Sequence, residues 1–269
     1  MQQFDEFARE QAILLDLEAT GRVMVTELTE RFGVSAVTVR KDLDALERRS
    51  LLRRIRGGAV SAGTSDEGAW GMRSRHSLAA KKAIAKSVAP LVRDGDVIAL
   101  DSSTTSYYLA QELLDRRHLV VITNGLRAAT LLMEESTSMV VLPGGVLRRS
   151  SESMVGPLGD LLTGRGPIGK GFFGLVSLSP ELGLLEASVE EAQTKTFLAA
   201  ACDQVFGLFD SSKAARFGLH PFVAPGDITA LYTDDGIPDH VVAAWADAGV
   251  AVQVAPADAA VHRLREGSA

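Results

Sequence analysis

Asp101-Ser102-Ser103-Thr104-Thr105 sets one carboxylate and four hydroxyls between an apolar run, V-I-A-L, and a helical pattern. Backbone N–H groups that open a helix, joined by hydroxyls, form an anion site without needing a glycine-rich phosphate loop. Thr123-Asn124, Gly144-Gly145 and Asp210-Ser211-Ser212-Lys213 follow three further apolar runs, and Lys213 adds a cation. Each piece alone reads equally well as a helix cap or a turn. Four polar strand ends together favour a single crevice, because open α/β sheets bind ligands outside the carboxyl ends of their strands. A fifth match is a decoy. Gly164 to Lys170 has the spacing of a phosphate loop, but Gly171 stands where a Ser or Thr must hold magnesium. The next residues, F-F-G-L-V, read as a strand where that loop demands a helix. Nucleotide hydrolysis is therefore not expected.

A second constellation lies near the amino terminus. A-V-T-V-R-K-D-L-D-A-L-E-R-R follows Ser35, a residue type that caps helices, and sets Val39, Leu43 and Leu46 on one stripe. The face left over presents Ser35, Thr38, Arg40 and Lys41 on the first turns, the part of such a helix that enters a DNA major groove. L-L-R-R-I-R-G-G-A-V then reads as two short strands turning near Gly57-Gly58. Its Arg53, Arg54 and Arg56 would lie across the neighbouring phosphate backbone. The net charge of −6 hides this basic run. Positions 35–60 hold seven bases against three acids, and screening confines each charge to about 8–10 Å. A three-helix protein-interaction module with the same core is the competing reading.

Those residues need elements to hold them. Helical patterns cover Asp5 to Ala19, with Ile13, Leu14 and Leu17 facing inward, and E-L-T-E-R-F, which Thr26 would cap and Gly33 would stop. A polar Gly/Ser-rich stretch at 61–76 reads as linker. Beyond it, apolar runs at 97–101, 120–124, 139–142, 172–176, 204–210, 228–234 and 250–254 alternate with helical patterns, which argues a parallel, doubly wound sheet. The chain of 269 residues, 46% hydrophobic, is long enough for two domains. The expected division is 1–60 reading head, 61–76 linker, 77–256 α/β domain and 257–269 tail.

One cysteine, Cys202, and five scattered histidines leave no disulfide and no metal centre to expect, and no cofactor is expected either. The opening M-Q-Q-F-D-E-F-A-R-E carries acid where a secretory leader carries base, and no run of about 18 apolar residues appears. A cytoplasmic protein is the expectation.

E-L-T-E-R-F-G-V-S-A-V-T-V-R-K-D-L-D-A-L-E-R-R with L-L-R-R-I-R-G-G-A resembles the winged helix-turn-helix of the DeoR family of bacterial transcriptional regulators. D-S-S-T-T, V-I-T-N, L-P-G-G-V-L-R, V-G-P, E-A-Q-T-K, D-S-S-K and Y-T-D resemble that family's sensor domain, which shares its fold with ribose-5-phosphate isomerase and CoA transferases. The resemblance implies a non-enzymatic repressor of carbohydrate genes that binds double-stranded operator DNA as a homodimer or homotetramer and is released by a phosphorylated sugar. It assigns DNA contacts to Ser35, Thr38, Arg40, Lys41, Arg54 and Arg56. It assigns effector contacts to Asp101, Ser102, Ser103, Thr104, Thr105, Thr123, Asn124, Gly144, Gly145 and Lys213. Two positions depart from the family pattern: Ser103 replaces a glycine, which would be strained if that position needs positive φ, and Gly169 replaces an acid before Lys170. The alternatives are a sugar-phosphate isomerase or deaminase with a DNA-binding appendage, for which Asp101 and Glu191 are candidate bases by type, and a regulator without a small ligand.

Overall fold

The computed structural model describes residues 6–20, 22–49, 51–61, 70–156, 167–214, 216 and 218–256. The chain forms two units that divide between Asp66 and Glu67. The tail at 257–269 and residues 62–69, half of the stretch read as linker, lie outside the described residues.

The first unit comprises α1 (Glu6–Thr20), β1 (Arg22–Met24), α2 (Val25–Phe32), α3 (Ala36–Arg48), β2 (Leu52–Ile55) and β3 (Gly58–Ser61). Ile13, Leu14 and Leu17 of α1 are buried with Leu28 and Phe32 of α2 and with the α3 stripe Val39, Leu43 and Leu46. Gly33 ends α2 in the left-handed region at φ 65, which glycine adopts without a Cβ penalty. Ser35 caps α3, its Oγ accepting from the Thr38 amide at 3.1 Å.

Thr26 does not cap α2. The helix begins one residue before it, at Val25, and Met24 precedes it without a side-chain cap. The physical reason lies in the wing: the Val25 amide donates to the Gly57 carbonyl at 2.9 Å, so the turn between β2 and β3 satisfies that helix end. β1 pairs with β3, making the wing three-stranded in the order β1-β3-β2. A buried bidentate pair, Arg9 to Asp42 at 2.8 and 3.1 Å, ties α1 to α3.

The second unit opens with α4 (Trp70–Arg75), α5 (Leu78–Val88), β4 (Val97–Leu100), α6 (Thr104–Glu112), β5 (Val120–Thr123), α7 (Leu126–Glu135) and β6 (Met139–Val141). A hairpin, β7 (Val146–Arg148) and β8 (Ser153–Val155), leads on to β9 (Ile168–Gly174), β10 (Ser177–Ser179) and β11 (Gly183–Glu186). The rest is α8 (Val189–Ala200), β12 (Cys202–Leu208), β13 (His220–Val223), β14 (Ala230–Asp234), α9 (Asp239–Asp247) and β15 (Val252–Ala255).

The helix α4 corrects the linker reading at its far end. The Gly/Ser-rich composition stops at Ala69, and Trp70 then anchors a helical turn on Tyr107 of α6, with ring centroids 5.0 Å apart.

Seven parallel strands run in the order β15-β14-β12-β9-β4-β5-β6. Successive residues of the central strands feed opposite cores. Phe172, Ile98 and Leu100 pack with α5, α6 and α7, whereas Phe173 and Ala99 pack on the side of α8 and α9. Both faces are therefore covered, as a buried parallel sheet requires. Strand order reverses between β4 and β9: β5 and β6 continue one way, β12, β14 and β15 the other. A smaller antiparallel sheet, β10-β11-β13, sits beside this layer and was not foreseen from the sequence. Its strands are three or four residues long, too short to show a period.

Candidate functional site

A cavity of about 300 Å³ opens at the reversal between β4 and β9, the place where open α/β sheets bind ligands. Ser102, Ser103, Thr104 and Thr105 line one wall, after β4 and at the start of α6. Lys213 lines another, after β12. Of the four expected strand ends, those after β4 and β12 line this cavity, and those after β5 and β6 do not.

Ser103 is not strained. Its φ is −71, and its Oγ accepts from the Ser106 amide at 3.1 Å, so it serves as the cap of α6. Space for that serine comes from Gly174 on the adjacent strand, where a Cβ would lie 2.3 Å from Ser103 Cβ. With the Ser106 amide taken by that cap, the amides of Thr104 and Thr105 at the start of α6 are the donors left to face an anion.

Asp101 lies beneath the cavity wall. It is fully buried, and accepts from the Ser103 amide at 3.1 Å, Ser106 Oγ at 2.6 Å and the Gly174 amide at 2.9 Å. Its other neighbour is Lys195 Nζ at 2.7 Å. With all these partners Asp101 shapes the loop and is no candidate base. Thr123 and Asn124 are likewise buried outside the cavity wall. Thr123 Oγ1 accepts from the Gly125 amide at 3.1 Å, and Asn124 Nδ2 donates to Glu191 Oε2 at 3.4 Å.

Gly144 and Gly145 are exposed and do not line the cavity. They turn the chain into β7, where a Cβ on Gly145 would meet the Val155 carbonyl at 2.3 Å. The hairpin requires glycine at Gly145, whereas a Cβ on Gly144 would meet open space.

The cavity also holds Glu191, singled out in the sequence only as a candidate base by type, and residues that the sequence did not single out. Arg73 and His76 reach it from α4 and the turn after it, Lys81 from α5, Glu191 and Lys195 from α8, and Glu186 from β11. Lys195 bonds Glu186 and the Gly174 carbonyl, the latter at 2.9 Å. Burial pulls the Lys195 ammonium down, but Asp101 and Glu186 together outweigh it and hold its pKa above the ordinary lysine value.

Glu191 Oε1 accepts from Ser151 Oγ at 2.8 Å, from Ser153 Oγ, and from Arg148 at 3.1 Å. Lys81 lies 3.3 Å from Asp210, with Lys213 and Arg216 nearby. Burial lowers the Lys81 pKa, and those two cations add to the effect against the pull of Asp210. Burial alone would raise the Asp210 pKa, yet Lys81 and Ser212 bring it below the ordinary aspartate value.

One signal in the sequence pointed to two of these groups. Glu191 and Lys195 stand four apart in E-A-Q-T-K, on one face of α8.

In the first unit Arg40, Lys41 and Arg56 are exposed, and Ser35 and Thr38 lie beside them at the start of α3. Val37, 73% exposed, stands on the same face and is the right chemistry for a thymine methyl. Arg54 is turned inward: its guanidinium bonds Asp44, the Arg40 carbonyl at 3.3 Å and the Gly58 carbonyl at 3.3 Å. It braces the wing against α3.

Lys170 at the end of the decoy motif lies within β9 and pairs with Asp96 at 2.7 Å. Gly164 to Gly166 lie outside the described residues. Among the described residues no group of three or more His, Cys, Asp or Glu is arranged to hold a metal ion, and no helix is long and apolar enough to cross a membrane.

A winged helix-turn-helix joined in one chain to an α/β unit with a charged cavity at its strand ends defines a DNA-binding regulator with a sensor domain. Comparison with known proteins agrees. A model of the DeoR-like helix-turn-helix domain matches residues 9–65, and one of the DeoR C-terminal sensor domain matches residues 76–235. The chain belongs to the DeoR family of transcriptional regulators.

The relatives include the uncharacterized regulator YulB of Bacillus subtilis (strain 168), 32% identical over 92% of this chain and 96% of that one. The glycerol-3-phosphate regulon repressor of Escherichia coli (strain K12) is 30% identical over 89% and 95%. The putative aga operon transcriptional repressor of Escherichia coli O157:H7 is 30% identical over 91% and 92%. Among solved structures, ribose 5-phosphate isomerase A of Methanocaldococcus jannaschii overlays 51% of this chain and 54% of its own at a TM-score of 0.38 and 18% identity, a partial likeness.

Proposed function

We propose that this regulator is a cytoplasmic repressor of carbohydrate-metabolism genes, released from its operator by a phosphorylated sugar bound in the cavity. The observation that carries the reading is the cavity's polarity. The first turn of α6 and the cations Lys81, Lys213 and Arg216 suit a phosphate, while Glu186 and Glu191 can accept from sugar hydroxyls. Two relatives are named as repressors, of the glycerol-3-phosphate regulon and the aga operon, which supports the same reading.

The α3 helix reads base edges through Arg40, Lys41 and Val37, with Ser35 and Thr38 near the backbone and Arg56 on the wing touching phosphate. A homodimer or homotetramer presents paired heads to half-sites one helical turn apart, about 34–36 Å. Effector binding favours an arrangement that no longer matches this spacing. A coupling of about 1–3 kcal/mol changes operator occupancy roughly 5–150-fold.

Gel retardation on DNA from upstream of the protein's own gene, with and without a panel of sugar phosphates, tests both halves. A specific shift that one or more sugar phosphates abolish is expected. No specific shift at moderate salt removes the DNA half, and a shift indifferent to every sugar phosphate removes the effector half.

A further inference from the structure

The described part of the second unit begins at Trp70, directly after the residues that carry the chain onward from the DNA-reading unit. Three contacts converge on this residue. The indole meets the Tyr107 ring edge-on, 5.0 Å between centroids and 90° between planes. The backbone N–H donates to the Ser150 carbonyl at 3.0 Å. The Arg127 guanidinium lies 5.3 Å from the ring centroid and is itself held by Glu152, at 3.1 Å for one of its two bonds.

Two of these partners, Tyr107 and Ser150, continue a wall of the cavity. Tyr107 belongs to α6, and its amide donates to the Ser103 carbonyl at 3.1 Å, in the same turn that lines the cavity. Ser150 precedes Ser151, which lines the cavity and donates to Glu191. Arg73 and His76 follow Trp70 by three and six residues and line the cavity as well, and the Tyr108 hydroxyl holds the Ser74 carbonyl between them at 3.0 Å. The α6 wall and the Glu191 wall thus meet at the residue where the chain arrives.

We propose that Trp70 is the positioning residue that conveys the occupancy of the cavity to the DNA-reading unit. The inference rests on the effector reading above and adds the route. An anion seated against the α6 turn and Arg73, with a hydroxyl on Glu191, resets both walls. Trp70 is gripped by the two walls together and redirects the incoming chain. A residue that only packed the domain would change stability and ligand affinity in step, whereas this one separates ligand binding from DNA release.

The test uses the full chain, the upstream DNA, and two probes: inorganic phosphate and glucose 6-phosphate. In the parent protein, saturation with a bound probe weakens DNA binding roughly 5–150-fold. Trp70→Leu is expected to bind the probe within about threefold of the parent and DNA as the parent does, while release shrinks below about twofold, against that 5–150-fold range. Trp70→Phe keeps a ring edge for Tyr107 and restores most of the release. Normal release in Trp70→Leu overturns the proposal.

A second measurement does not depend on that variant folding. The chain has two tryptophans, and Trp245 is buried in the core. The difference in emission between the parent and Trp70→Phe, followed through a titration with the bound probe, isolates Trp70. An emission change that saturates with binding supports the route, and a constant difference overturns it. A parent protein that binds neither these probes nor any other sugar phosphate of the panel overturns the effector reading, and this inference with it.

Discussion

Lys195 Nζ stands 2.7 Å from Asp101 Oδ2 at the base of the cavity, with both side chains buried. The same ammonium bonds Glu186 and the Gly174 carbonyl, so one cation joins the end of β4 to β9, β11 and α8. Lys195→Met leaves two buried carboxylates without their counter-charge, a loss of about 3–5 kcal/mol. Urea unfolding of the second unit is expected to show it at neutral pH. Because the Lys195 pKa is raised in the folded protein, its contribution is complete below 10.5 and fades as pH climbs through the folded value. A loss under about 1 kcal/mol, the range of a surface pair, would mean that the carboxylates are satisfied without the lysine.

The neighbouring pair behaves differently. Lys81 is lowered by burial, by Lys213 and by Arg216, with Asp210 opposing. From the lowered value up to 10.5 the unfolded chain binds the extra proton, so this group alone makes stability rise with pH. An arriving phosphate reverses the local balance and restores the proton. Phosphate esters are already dianions above about pH 6–7, so their own titration does not interfere. Affinity for a bound phosphate probe is expected to fall with pH within that alkaline window, with net proton uptake in calorimetry across buffers of different ionisation heat. Lys81→Met removes the uptake, and equal uptake in the parent and Lys81→Met would show that the proton goes elsewhere.

Much of this was legible because spacing decided it. Val39, Leu43 and Leu46 lie on one stripe by helical geometry alone, and the apolar runs at Val97–Leu100 and Val120–Thr123 end where the polar clusters start. What stayed hidden depends on partners distant in sequence. Glu191 is satisfied by Ser151 and Ser153, about forty residues before it, and by Ser102, 89 residues before it. Nothing local in E-A-Q-T-K says so. Arg73 and His76 were lost to a composition boundary drawn seven residues too late for Trp70. Gly144-Gly145 misled for the opposite reason: a hairpin turn, which needs glycine at Gly145, looks locally like a ligand loop.

Arg40 and Arg54, expected at a base edge and at phosphate respectively, differ in a way the sequence does not show. Arg40 is exposed on α3, whereas Arg54 reaches back to Asp44 and to two carbonyls. Arg40→Ala is expected to cost about 1–3 kcal/mol of operator binding and to relax base choice at one position. Arg54→Ala is expected to lower the stability of the first unit and to weaken all DNA sequences alike. Arg56→Ala, on the exposed turn of the wing, is expected to flatten the salt dependence by about one phosphate contact while leaving stability unchanged. Binding measured at several salt concentrations, beside a melting curve, distinguishes the three. If Arg54→Ala matches Arg56→Ala in both, the bracing contacts carry no weight.

Lys213 isolates the effector half from the DNA half. It follows Asp210 in a short turn after β12, lines the cavity, and its amide donates to the Asp210 carbonyl at 2.9 Å, so the backbone holds the turn whatever the side chain is. Lys213→Ala is therefore expected to fold and to retain DNA as the parent does. A charge-assisted hydrogen bond is worth about 1.5–3 kcal/mol, so the concentration of a bound sugar phosphate needed for half-release should rise roughly 10- to 150-fold. The extent of release at saturation should be unchanged if Lys213 acts on the anion alone and lies off the proposed route through Trp70. A variant that releases DNA at the parent's concentration would take Lys213 out of the site, and one that saturates without full release would place it on the route.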